Sequence, residues 1–179
     1  MIDYDKIFSK FPVIETKNLI LDQFTENDIL SYYQMCQHPD YIMEFIPEGL
    51  ILSFQDAIGT ITQKYPQSFK ARQDLTWVIV LKGSNPCIIG LRDLFIDSPY
   101  EPAVTQGFIT VGHRNKGYNQ EILKAVISFL KNANVEQLVF NCNANNEAVK
   151  HIAKKMKFQD ITSIQSQLLG TRKKFILNL

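Results

Sequence analysis

Between positions 114 and 120 the chain reads Arg114-Asn115-Lys116-Gly117-Tyr118-Asn119-Gln120, two cations and a glycine directly ahead of a segment with helical periodicity. The first turn of a helix carries N–H groups that have no intrahelical acceptor, and they point outward with the positive end of the helix dipole. A loop that enters such a turn through glycine can bring its main chain against a phosphate with no Cβ in the way. Arg114 and Lys116 add mobile positive charge. This spacing suits anion binding. The stretch lacks the glycines of a dinucleotide fingerprint and the Gly-Lys-Ser/Thr ending of a triphosphate loop, which disfavours both ligands; an ordinary strand-to-helix connection is the competing reading.

Other polar residues have blander readings. His113, His38 and His151 are isolated histidines on a loop, a turn and a helix face. Asp93 falls mid-strand beside Arg92, and an ion pair between them is the expectation. Tyr100 and Glu101 sit in a loop where a substrate contact is the less favoured reading. Lys150 and Lys154 lie one turn apart on a late helix, where a solvated face is the default. Cys36, Cys87 and Cys142 are odd in number and widely spaced, so the sequence suggests neither a disulfide framework nor a metal site, and the thiols read as reduced and mostly buried.

The elements around the loop follow from periodicity and punctuation. Thr16–Phe24 reads as a strand. Thr25 can cap a helix carrying Ile29, Leu30, Tyr33 and Cys36, with Pro39 marking its end. Ser53 opens a second helix with Phe54, Ala57, Ile58 and Ile61 in a stripe and Pro66 just beyond it. Thr76–Lys82 and Cys87–Ile96 flank Gly83-Ser84-Asn85-Pro86 and predict a hairpin. Gln106–Val111 is a strand that leads into the loop. The helix after the loop turns Ile122, Leu123, Val126, Ile127 and Leu130 inward. A strand at Gln137–Cys142, a helix at Asn146–Met156 with Ala148, Val149, Ile152 and Met156 on one side, and strands at Phe158–Ile164 and Lys173–Leu177 complete a mixed sheet flanked by helices, of the α+β or mixed α/β class.

The 179 residues contain no repeat or linker, so one domain spanning 1–179 is expected, and 45% hydrophobic residues supply its core. No apolar run exceeds five residues and the first residues do not resemble a secretory signal, so the reading is a soluble, cytoplasmic protein without a membrane partner. Nucleic acid is disfavoured because the cations are dispersed and not interleaved with aromatics. The net charge of +1 conceals a split: residues 1–112 hold 8 Lys+Arg against 14 Asp+Glu, and residues 113–179 hold 11 against 4. One end should attract anions and the other cations, unless both sets of charges merely solvate the surface.

In this order and spacing, several segments resemble the GNAT superfamily of acyl-CoA-dependent N-acetyltransferases, in the branch similar to ribosomal-protein N-terminal acetyltransferases. They are Glu15-Thr16-Lys17-Asn18-Leu19-Ile20-Leu21, Phe24-Thr25-Glu26-Asn27-Asp28, Ile88-Ile89-Gly90-Leu91, Arg114 and Gly117 of the signature Gln/Arg-x-x-Gly-x-Gly/Ala, and Asn143-Ala144-Asn145-Asn146-Glu147-Ala148. The resemblance implies a splayed central sheet with acetyl-CoA, as cosubstrate, between Gln106–Val111 and Gln137–Cys142. The pantetheine arm would pair near Ile109 and Val111, and the pyrophosphate would sit on amides from Lys116 through Gly117 and Tyr118 to Asn119, with Gln120 close by. Asn146, and less surely Asn143, would contact the cofactor from the other side. The reaction implied is direct attack of a primary amine, either a protein N-terminus or a small amine, and the acidic half could draw that cation.

The chain also departs from the family pattern. Asn119 stands where the signature has glycine or alanine, Ala153 where many members carry a candidate acid tyrosine, and Thr105 and Gln106 where the branch often has a glutamate. Val149 and Lys157 replace a serine and a glycine. No catalytic acid or base is assigned, and no metal. A non-catalytic acyl-CoA-binding or interaction module is the alternative to an enzyme, and a homodimer is left open.

Overall fold

The computed structural model describes residues 1–44, 51, 53–96, 98, 101–166 and 170–179. Its strands are β1 (Ile14–Glu15), β2 (Leu19–Gln23), β3 (Asp74–Leu81), β4 (Cys87–Phe95), β5 (Ala103–Ile109), β6 (Gln137–Asn143), β7 (Gln159–Ser166) and β8 (Gly170–Asn178). They form one sheet in the order β1-β2-β3-β4-β5-β6-β8-β7. The β3–β4 hairpin is antiparallel as expected, and β5 and β6 make the described parallel pair.

Short-range chemistry starts the early helices. Asp28 accepts the Thr25 N–H at 2.7 Å and its hydroxyl at 2.8 Å, followed by a single 3₁₀ turn and then α2 (Ile29–Cys36). Ser53 and Asp56 exchange backbone-to-side-chain bonds of 2.8 and 3.1 Å ahead of α4 (Phe54–Gly59). α2 ends at Cys36, just ahead of Pro39 as the sequence suggested, but Pro66 is not the stop expected of it. Pro39 opens α3 (Pro39–Glu44), where a missing N–H costs nothing. Pro66 lies inside α5 (Tyr65–Lys70), which continues from α4 through a π turn at Thr60–Lys64. That wide turn passes the Tyr65 N–H back to the Thr60 carbonyl, and Pro66 falls in the first turn of α5, where its missing N–H is tolerated.

Each face of the sheet carries its own core. On one, α1 (Tyr4–Phe8) and α6 (Tyr118–Asn132) cover Trp77, Ile89, Leu94 and Leu138 with Ile122, Val126 and Leu130. Ile127 is only partly buried. The Trp77 indole N–H donates to the Pro12 carbonyl at 2.7 Å, which satisfies the polar edge of the largest buried side chain. On the other face, Tyr32, Cys36, Tyr41 and Ala57 from the early helices pack on Val78, Leu91 and Phe108. Cys36 and Cys142 are buried, whereas Cys87, at the start of β4, is exposed. On α7 (Glu147–Lys155) it is Ala153 that is buried, with Val149 and Met156 packed beside it, while Ala148 is exposed. No helix among the described residues is long and apolar enough to cross a membrane.

Candidate active site: a cleft between two parting strands

β5 and β6 are paired only at Ala103↔Leu138 and Val104↔Val139. Beyond those positions β5 runs on to Ile109 and β6 to Asn143 without bonding each other, so both strands present an open edge. The V between them is a cleft of 730 Å³, floored by the sheet, capped by the start of α6 and closed on its far side by α7. A cavity of that size suits an extended small molecule.

The loop at its mouth turns sharply into α6. After a 3₁₀ turn at Val111–His113 the backbone is left-handed at Asn115 (φ 62°) and again at Gly117 (φ 83°), where α6 begins. Nothing lies within 4 Å of where a Gly117 Cβ would be, so glycine is required there by the dihedral and not by crowding. Among the described residues, no backbone carbonyl receives the N–H groups of residues 115–120. Glu121, one turn further on, accepts the Asn18 N–H at 2.7 Å and the Asn18 Nδ2 at 2.8 Å, which pins this end of α6 to the β1–β2 connection.

Of the residues marked in the sequence, Ile109, Arg114, Gly117, Tyr118, Asn119, Gln120 and Asn146 line the cleft. Val111 and Lys116, both exposed, are not among the residues that line it. Arg114 is not the mobile cation its type suggested. Its Nη1 is 2.6 Å from the Asp40 carboxylate, its Nε donates to the Ile109 carbonyl at 2.8 Å, and its guanidinium lies 5.0 Å above the Phe108 ring. It fastens α3 to the end of β5. The Asn146 side chain caps α7 by accepting the Val149 N–H at 3.1 Å. Lys150 pairs with Glu147. Tyr100 lies outside the described residues, and Glu101 borders a separate depression with Met1 and Ile2.

The ion pair expected between Arg92 and Asp93 does not form, because consecutive strand residues point to opposite faces. Asp93 belongs to the early-helix face, where it accepts the Thr76 hydroxyl at 2.7 Å and the Gln106 amide at 3.4 Å. Burial pushes its carboxyl up to about 6 against those bonds. Tyr32, Tyr41 and Tyr65 close by are raised by burial as well, so all three phenols stay protonated near neutrality. Arg92 belongs to the α6 face and to the cleft wall. Lys155, Arg172, Asn141 and Asp40 also line the cleft and were not singled out in the sequence; they come from α7, β8, β6 and α3, each more than 20 residues from the loop, at positions that carry no motif.

A family model for the acetyltransferase (GNAT) domain matches residues 18–159. The chain belongs to that family. No curated protein matches it. Among solved structures it is similar to RimL, the ribosomal L7/L12 alpha-N-protein acetyltransferase in complex with coenzyme A, at 11% identity and a TM-score of 0.81, covering 94% of this chain and 98% of that one. It is also similar to Mycobacterium smegmatis RimJ in complex with CoA-disulfide, at 9% identity and 0.79, over 93% and 87%. The microcin C7 self-immunity acetyltransferase MccE, in complex with acetyl-CoA and AMP, gives 14% identity and 0.79 over 91% and 93%. At these identities the likeness concerns the fold.

Proposed function

We propose that the protein is an N-acetyltransferase that uses acetyl-CoA as cosubstrate and a primary amine as acceptor. The observation that carries this reading is the cleft itself: two strand edges that part after two residue pairs, beside a loop whose N–H groups have no backbone acceptor among the described residues. The residues present fit the donor. Loop amides 116–119 suit the pyrophosphate, the open β5 edge near Ile109 suits the pantetheine arm, and Lys155 and Arg172 supply further positive charge in the wall.

Bound acetyl-CoA supplies an activated acyl group: a C–N bond to the amine replaces the C–S bond, CoA leaves as its thiol, and one proton of the ammonium form is released. The chain's own task is positioning. Arg114, Asp40 and Phe108 fix the acceptor-side wall, and Asp93 holds Gln106 in it. A non-catalytic acyl-CoA-binding module is the second reading, favoured by Asp40, the carboxylate among the described lining residues, being engaged by Arg114. Thermal melting with acetyl-CoA and thiol release with a panel of amines separate the two. A raised melting temperature with thiol release for at least one amine is expected. A raised melting temperature with a flat panel supports the module, and no rise removes both readings.

A further inference from the structure

The Arg92 side chain is 4% exposed, and the described structure gives its charge little to work with. Nη2 donates to the Asn119 side-chain oxygen, and Nε is buried with no partner. The guanidinium lies close against Gly107: a Cβ at that position would stand 2.7 Å from both Cζ and Nε. A desolvated cation with so few acceptors is costly to keep in a fold, and its Nε belongs to a residue of the cleft wall. Across the V, the Asn141 Oδ1 on β6 is likewise buried without a partner. The residues that carry these two orphans, a donor on β4 and an acceptor on β6, both line the cleft. A chain of amides that ends in a carbonyl would satisfy both.

The register says which part of such a chain reaches Arg92. Arg92 stands opposite Gly107, two residues along β5 from Ile109, or about 7 Å deeper toward the closed end of the V. The phosphates belong at the loop and the thioester at this depth. Resting on the acetyltransferase reading above, we propose that Arg92 donates through Nε to the thioester carbonyl oxygen, where negative charge gathers as the amine adds. Asn119 is a positioning residue that holds the guanidinium by its Nη2, and Asn141 accepts from a pantetheine amide. Asn119, a departure from the small residue of the family signature, thereby has a role: it turns a buried arginine toward the acyl group.

The test uses the purified chain and acetyl-CoA labelled with ¹³C at the carbonyl. In wild type the bound thioester C=O stretch should fall below that of free acetyl-CoA, and in Arg92→Met it should return to the free position. Arg92→Lys should restore little of the shift and Asn119→Ala about half, so the test survives if one variant folds poorly. With an accepted amine, Arg92→Met should lower kcat by about 100-fold or more while KM for acetyl-CoA changes by less than about threefold. The Arg92→Met melting temperature should equal or exceed that of wild type, since an underpaired buried charge is removed. A stretch and a kcat unchanged by Arg92→Met would overturn the proposal, as would folded Arg92→Met that no longer binds acetyl-CoA. If wild type acetylates no amine yet shows the Arg92-dependent shift, the transferase reading falls and the Arg92 contact stands.

Discussion

Asp93 illustrates how far one side chain can be pushed by its surroundings. Its carboxyl gains two hydrogen bonds, from Thr76 and Gln106, yet burial outweighs them and raises it from the ordinary 3.8 to about 6. A carboxyl whose folded value is raised contributes most to stability when protonated, and that contribution is lost as pH climbs from about 4 to about 6. Relative to Asp93→Asn, which is neutral throughout, wild type should therefore lose about 3 kcal/mol across that window and stay level above it. Urea melts of both proteins at pH 4, 5, 6 and 8 measure the difference. A gap between them that does not change with pH would mean that the carboxylate is well solvated in the fold.

At the scale of elements, the turn from β5 into α6 is the proposed seat of the phosphates. Gly117 has open space around it and a left-handed backbone. Alanine there should cost about 1–2 kcal/mol through the dihedral alone, whereas Gly117→Asn, a residue that tolerates this region, should cost less. If the loop seats a diphosphate, Gly117→Glu should abolish the acetyl-CoA-induced rise in melting temperature while Gly117→Asn keeps most of it. Loss of the rise in both, or in neither, would place the phosphates elsewhere.

The parts of this architecture visible in the sequence were those set by neighbours in the chain. The caps at Thr25 and Ser53, the turn between β3 and β4, the inward stripe of α6 and the glycine before it all act within a few residues. What stayed hidden depends on distance. Arg114 read as a free cation because Asp40, its partner, is 74 residues away. Arg92 read as the partner of Asp93 because adjacency in sequence says nothing about opposite faces of a strand, and Asn119 reaches it from 27 residues on. Pro66 read as a stop because a π turn leaves no signature in residue type.

Over the whole molecule, the charge split acquires a geometry. Arg114, Lys155 and Arg172, all from the basic second portion of the chain, line the cleft with Arg92, and Asp40 is paired within it. Such a wall should draw a polyanion and be weakened by salt. On the proposed function, acetyl-CoA occupies this cleft by its phosphates and its pantetheine arm together. The direct measurement is a calorimetric titration of the protein with acetyl-CoA at low and high ionic strength, beside S-acetylpantetheine, which has the arm and thioester without the nucleotide phosphates. One acetyl-CoA per chain is predicted, bound several-fold more weakly at high salt, with S-acetylpantetheine far weaker and insensitive to salt. Equal binding of the two ligands, or no binding of acetyl-CoA at either ionic strength, would contradict it.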